Sequence, residues 1–229
     1  NQDWWDESGS FSALHRLTPC RVEYIVQVIK RNIISKHINS STQICNNLNI
    51  LDVGCGGGLL CEPLSRLGGN VTGIDVSENA IITAKQHASK MGLKINYICT
   101  SLEELNLKKD FDLIIASEVI EHVLDRKYFL KMIRKISSNK TSFIFTTINK
   151  SIPSLLFGKF AAEYLLNLIP KGTHDWEKFV TPQKLYLEAL ENGIYLNNFS
   201  GLTPNVFNKE FNLTSYLGIN YAASGIVRE

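Results

Sequence analysis

The run NILDVGCGGGLLCEPLSRLGG, residues 49–69, constrains this chain more than any other stretch. Ile50, Leu51 and Val53 form an apolar run of strand length, too short to stand as a helix. Gly54, Gly56, Gly57 and Gly58 follow, and then LLCEPLSRL carries Leu60, Leu64 and Leu67 at helical spacing. Strand, glycine turn and helix together open a nucleotide-binding α/β domain. The glycines answer a need for close approach. A ligand across the strand end meets backbone N–H groups, and a Cβ there would hold it off. A dinucleotide fingerprint would place its third glycine at position 59, which is Leu59; the pattern here is G-x-G-x-G, introduced by Asp52.

A second apolar strand, NVTGID, ends in Asp75, twenty-one positions beyond Gly54. A carboxylate at that place accepts hydrogen bonds from both hydroxyls of a ribose. Taken together, LDVGCGGG and VTGID resemble motifs I and II of the class I S-adenosylmethionine-dependent methyltransferases. That resemblance implies S-adenosylmethionine as cofactor, lying over the bare backbone between Gly54 and Gly58, with Gly54, Gly56 and Asp75 in contact. Cys55, inside the loop, is read as a small residue that fits and not as a nucleophile.

Strands and helices alternate along the rest of the chain at the interval of a doubly wound, mostly parallel sheet. The expected fold is α/β, Rossmann-like, with seven strands, an N-terminal helical arm over 1–48 and a helical insertion over 151–180, all in a single domain spanning 1–229. Trp4, Trp5 and Phe11 make the first residues too apolar for a solvated tail, so this arm is expected to dock. Pro19 is expected to open a helix with Val22, Ile25, Val26, Ile29 and Ile33 on one face. Arg21 in its first turn is either a solvated charge or a guanidinium closing over a cofactor carboxylate. Ser77 caps a helix that stops at Gly92, strands follow at 95–99, 111–116 and 141–147, and a helix runs from Thr181 to Gly193. Residues 194–199 and 221–227 supply the last two strands, with 203–214 irregular between them.

Ser117, Glu118, Glu121 and His122 stand at the carboxyl end of the fourth strand, the end that faces the ligand crevice of an open α/β sheet. Glu118 and Glu121 are one helical turn apart with His122 adjacent, a set that suits a hard divalent ion such as Mg²⁺, or else cofactor contact and packing. His174, in the loop PKGTHDW, is either a surface histidine or a base for a phenolic proton. Residues 151–170 carry Leu156, Phe160, Tyr164, Leu165 and Leu168 on one helical face, fit for a core or for a lid touching a membrane or a greasy substrate.

Over nearly its whole length the chain resembles the ubiquinone biosynthesis O-methyltransferases. WWDESGSFSALHRLTPCR, LDVGCGGG, VTGID, ASEVIEHV, TTINKS, AAEYLLNLIPKGTHDWEKF and GINYAASG occur in that family's order. The first of these and PKGTHDW discriminate most, because generic methyltransferases lack both. The resemblance implies methylation of a phenolic hydroxyl of 2-polyprenyl-6-hydroxyphenol and of 3-demethylubiquinol. It implies cofactor contacts from Arg21, Gly54, Asp75 and Ser117, and Mg²⁺ on Glu118, Glu121 and His122. His174 is then the first candidate base and Glu121 the second. The implied partners are a polyprenylated phenol or quinol, a membrane surface met through 151–170, and other ubiquinone-biosynthesis proteins.

The near-balanced charge of +2 leaves no electrostatic footprint for nucleic acid. Five scattered cysteines fit reduced thiols, and no apolar run has the length of a membrane span, so the expected location is cytoplasmic, peripheral on the inner face of a membrane. Two other readings stand beside this one: a methyltransferase acting on another small phenol or amine, and a non-catalytic cofactor-binding subunit of a lipid-modifying complex.

Overall fold

A computed structural model describes residues 4–33, 43–107, 110–154, 178–205 and 210–227. Its eight-stranded sheet runs in the order β3-β2-β1-β4-β5-β8-β6-β7. The strands are β1 (Asn49–Val53), β2 (Asn70–Asp75), β3 (Asn96–Cys99), β4 (Leu113–Ser117), β5 (Ser142–Ile148), β6 (Ile194–Pro204), β7 (Phe211–Thr214) and β8 (Asn220–Val227). The first five pair in parallel, and β8, β6 and β7 pair antiparallel beyond β5.

The helices α1 (Ser12–Asn32), α2 (Cys61–Arg66) and α3 (Glu78–Lys90) belong with one face of the sheet, and α4 (Arg126–Lys135) and α5 (Pro182–Glu191) with the other. The strand sequences explain this layering. Leu113 and Ile115 of β4 join the core on the first side, while Ile114 and Ala116 join the second. Such two-sided burial is why LIIA reads as a continuous apolar run and not as alternation. Three helices begin on side-chain caps: Ser77 accepts from the N–H of Ala80, Asp125 from Tyr128, and Thr181 from Lys184.

Two expectations are corrected. Helix α1 starts at Ser12 and carries Pro19 inside it. One turn earlier the Leu14 carbonyl takes the Thr18 hydroxyl at 2.7 Å and the Arg21 guanidinium at 3.3 Å. Among the described residues the sheet has eight strands where seven were expected. The added one, β7, lies on the far edge of β6, and its Phe211 and Leu213 pack against the core on the α1 side.

Candidate functional site

The strand order reverses at β1, which lies between β2 and β4, and ligands of such sheets sit beyond the carboxyl ends of the strands there. The chain leaves β1 into the glycine loop, and the N–H groups of Gly54 and Cys55 both donate to the Ile74 carbonyl at 2.8 and 2.9 Å. Gly54 has φ +72°, and a Cβ there would fall 2.5 Å from Cγ2 of Val119. Backbone conformation and the β4 neighbour therefore both exclude a side chain.

Asp75 ends β2, half-buried beside this loop. Its Oδ2 accepts the Gly56 N–H at 2.9 Å and its Oδ1 accepts the Ser77 N–H at 2.8 Å. One lone pair on each oxygen remains for a pair of ribose hydroxyls. Val76, next in the chain, is 74% exposed, an apolar residue open to solvent beside the ribose acid.

Arg21 is buried at 4% exposure. Its Nη1 donates to the Ser117 hydroxyl at 2.8 Å and its Nη2 to the Thr18 hydroxyl at 2.7 Å. Its Nε is buried and has no partner among the described residues. Burial works against its charge, while Glu118 and Asp52 favour it. A buried guanidinium with an orphaned donor suits the carboxylate of an amino-acid ligand.

The acids follow β4. Glu118 has φ +57°, a left-handed backbone that a non-glycine residue rarely adopts. Its Oε1 accepts the Thr146 hydroxyl at 2.7 Å, and Thr146 also lies 2.8 Å from the Ser117 hydroxyl. Glu121 is 4% exposed and accepts the Thr147 hydroxyl at 2.7 Å. Burial raises the Glu118 carboxyl, with Arg21 and the Thr146 hydroxyl opposing it. For Glu121, burial and then the neighbouring Glu118 charge push the carboxyl up to about 8. Asp52, buried under the loop, is pushed up to about 6 by burial, against the Cys61 thiol 3.2 Å from its Oδ2.

The structure therefore brings Arg21, Ser117, Glu118 and Glu121 to one strand end, close to Gly54 and Asp75. It does not bring His122 into that group: His122 is exposed, and among the described residues no cluster of three or more His, Cys, Asp or Glu is placed to hold a metal ion. The residues as placed do not fit the expected three-ligand Mg²⁺ site. His174, and residues 155–170 of the insertion, lie outside the described residues.

The expectation of a bare loop is corrected too. Gly54 is exposed, but Gly56, Gly57 and Gly58 are buried, the first two beneath Trp4. Thr146, Thr147 and Asn220, which reaches Glu118 Oε2 at 3.5 Å, were not picked out from the sequence. Their signals in the sequence are the segments TTINKS and GINYAASG, which carry the resemblance without showing what these side chains touch.

Residues 51–145 match the methyltransferase domain family. The chain is 42% identical to the ubiquinone biosynthesis O-methyltransferase of Pelagibacter ubique, over 96% of this chain and 90% of that one. It is 39% identical to the enzyme of the same name from Bradyrhizobium diazoefficiens, covering 98% and 89%, and 40% identical to that of Rickettsia prowazekii, covering 96% and 84%. Among solved structures, magnesium protoporphyrin IX methyltransferase from Synechocystis with bound SAH superposes with a TM-score of 0.64 at 17% identity, covering 100% of this chain and 98% of that one. The plantazolicin methyltransferase with SAH gives 0.64 at 18% identity, covering 93% and 85%. These two share the fold.

Proposed function

The chain belongs to the ubiquinone biosynthesis O-methyltransferase family, and we propose that Glu121 takes the phenolic proton while Arg21, Gly54, Gly56, Asp75 and Ser117 hold the cofactor. The activity is S-adenosylmethionine-dependent O-methylation in ubiquinone biosynthesis. When bound, S-adenosylmethionine supplies a methyl group made electrophilic by its sulfonium. The protein's part is to align a phenolic oxygen with that carbon and to remove its proton. Asp75 receives the ribose, Arg21 the carboxylate, and the exposed Val76 covers the base.

The observation that carries this reading is the buried carboxyl of Glu121 on Thr147. A phenol has a pKa of about 10. An ordinary carboxylate is a poor match for it, whereas one pushed up to about 8 is a far stronger base, half-ionised at that pH. Thr147 orients it, and the adjacent Glu118 charge keeps its proton affinity high.

The substrate we propose is a polyprenylated catechol-type phenol, such as 2-polyprenyl-6-hydroxyphenol or 3-demethylubiquinol. The mass of the product formed from a short-chain polyprenyl catechol tests this. A gain of one methyl group supports it, and no product with that substrate overturns it. Glu121→Gln should lower kcat by roughly 10²–10⁴, the usual weight of a general base, with affinity for S-adenosylhomocysteine, which has no sulfonium charge, nearly intact. Full activity in that variant, with loss in His174→Ala, would move the base to His174.

Mg²⁺ stays outside these steps. An ion held by Glu118, Glu121 and His122 would need His122, exposed here, to turn inward. We also propose that 151–170 meets a membrane surface, since Leu156, Phe160, Tyr164, Leu165 and Leu168 recur at helical spacing in the sequence; among the described residues no helix is long and apolar enough to cross a membrane. Liposome flotation lost on changing Leu156 and Phe160 to Asp would support that contact, and unchanged flotation would end it.

A further inference from the structure

We propose that Trp4 is a cofactor-positioning residue, a clamp for which the inner glycines of the loop are kept clear. The inference rests on the reading that S-adenosylmethionine binds at this loop. The Trp4 indole stacks on Phe11, ring centroids 3.8 Å apart and 11° from parallel. It also presses along the loop. A Cβ on Gly57 would fall 2.4 Å from Cβ and from Cγ of Trp4, and one on Gly56 would fall 2.5 Å from its Cη2. Gly56 has φ +52°, so its backbone already disfavours a side chain, but Gly57 carries no such constraint. Its nearest neighbours are the Cβ and the near edge of the ring of Trp4, so Trp4 is what excludes a Cβ at position 57.

Trp5 makes the second anchor. Its Nε1 donates to the Gly57 carbonyl at 3.1 Å, and its ring stacks on His87 of α3 at 3.5 Å and 8°. His87 Nδ1 in turn lies 2.6 Å from Glu62 Oε1, a carboxylate buried on α2. The arm is thus tied to both helices that follow the loop. At its other end the Trp4 carbonyl lies 2.9 Å from His15 Nε2 on α1, the helix that carries Arg21 to Ser117.

These ties join two separate parts of the cofactor site. Gly56, under Trp4, donates to Asp75, the ribose acid; Arg21, on the helix the arm leads into, offers the free Nε. With the arm seated, the two are held at one spacing. A ligand that spans both then binds without having to order the arm itself.

Calorimetry with S-adenosylmethionine and S-adenosylhomocysteine tests this on the full chain. Trp4→Ala should weaken both ligands at least tenfold and raise KM for S-adenosylmethionine, leaving KM for the phenol unmoved. Trp4→Phe should restore affinity to within about threefold of the unsubstituted protein, because an aromatic ring again fills the seat. Gly57→Ala should weaken binding comparably in the unsubstituted protein and in Trp4→Ala, whose Cβ still stands 2.4 Å away, yet cost less than about twofold in a Trp4→Gly background, where both the Cβ and the ring are gone. Undiminished affinity in Trp4→Ala, or fully additive losses in the Trp4→Gly background, overturns the clamp. Should Trp4→Ala fail to fold, hydrogen exchange decides instead: S-adenosylhomocysteine must slow the amides of residues 4–11 in the unsubstituted protein, and no change overturns the proposal. Absence of binding by the unsubstituted protein would overturn the cofactor reading itself, a result distinct from binding that ignores Trp4.

Discussion

Replacing Glu121 by glutamine should stabilise this protein at alkaline pH and flatten its stability profile. The folded carboxyl is pushed from 4.5 up to about 8, by burial first and by the Glu118 charge second. An acid raised in the folded state favours folding fully below its unfolded value and loses that contribution as pH climbs through the folded one. Unsubstituted protein and Glu121→Gln should therefore differ little below pH 4.5, diverge between 4.5 and about 8, and run parallel above. At about 1.36 kcal/mol per tenfold, the separation of the two values sets a ceiling of ~5 kcal/mol. Glu118 shares the burden of negative charge at this spot, so about 2 kcal/mol should appear, or roughly 4–8 °C in Tm for a chain of this size. The amide keeps an acceptor for the Thr147 hydroxyl, so packing is conserved. Urea unfolding of cofactor-free protein from pH 5 to 9 measures the difference. Parallel profiles across that range, with no gap opening, would refute the burial of an ionisable Glu121.

The same group governs catalysis. Turnover should rise with pH through a single ionisation near 8 and then level, and a profile flat from pH 6 to 9 would remove Glu121 as base. S-adenosylmethionine carries a positive sulfonium that S-adenosylhomocysteine lacks, so its affinity should tighten as pH approaches 8 while that of S-adenosylhomocysteine stays level; equal slopes by calorimetry would place the sulfonium away from both acids. Gly54→Ala puts a Cβ 2.5 Å from Val119 in a left-handed backbone, and should cost about 1–3 kcal/mol of stability with loss of cofactor binding. Wild-type affinity in that variant would contradict the close approach. Millimolar Mg²⁺ should leave the melting temperature of cofactor-free protein unchanged, since His122 faces away from Glu118 and Glu121; a clear rise would show the three can converge.

How far the sequence carried the fold and the site depends on which contacts are local. The parallel strands were legible because β1, β4 and β5 are buried on both faces, which leaves unbroken apolar runs in the chain. Strand β7 was not, because FNLT is four residues whose stability comes from the α1 side of the core and from pairing with β6. Pro19 looks like a helix start, since proline suits the first turn; the helix instead begins at Ser12, and its first turns are tied to the arm through His15 and the Trp4 carbonyl, a contact no linear pattern carries.

At the site, the glycine loop and Asp75 follow from spacing along one chain segment. The hydroxyls that orient the acids follow from register between two strands, Ser117 beside Thr146, and register is invisible to a linear reading. The acids themselves were placed on a helical turn, where positions 118, 121 and 122 share a face. The chain leaves β4 through a left-handed residue at Glu118 and a three-residue 3₁₀ turn over Ile120–His122, so the three side chains part. Glu118 crosses to Thr146, Glu121 goes under to Thr147, and His122 turns to solvent. The glycines illustrate the same divide in reverse. Their number announced a close approach, and the approach at Gly57 is by an indole fifty-three positions earlier in the chain, a contact that only the docked arm creates.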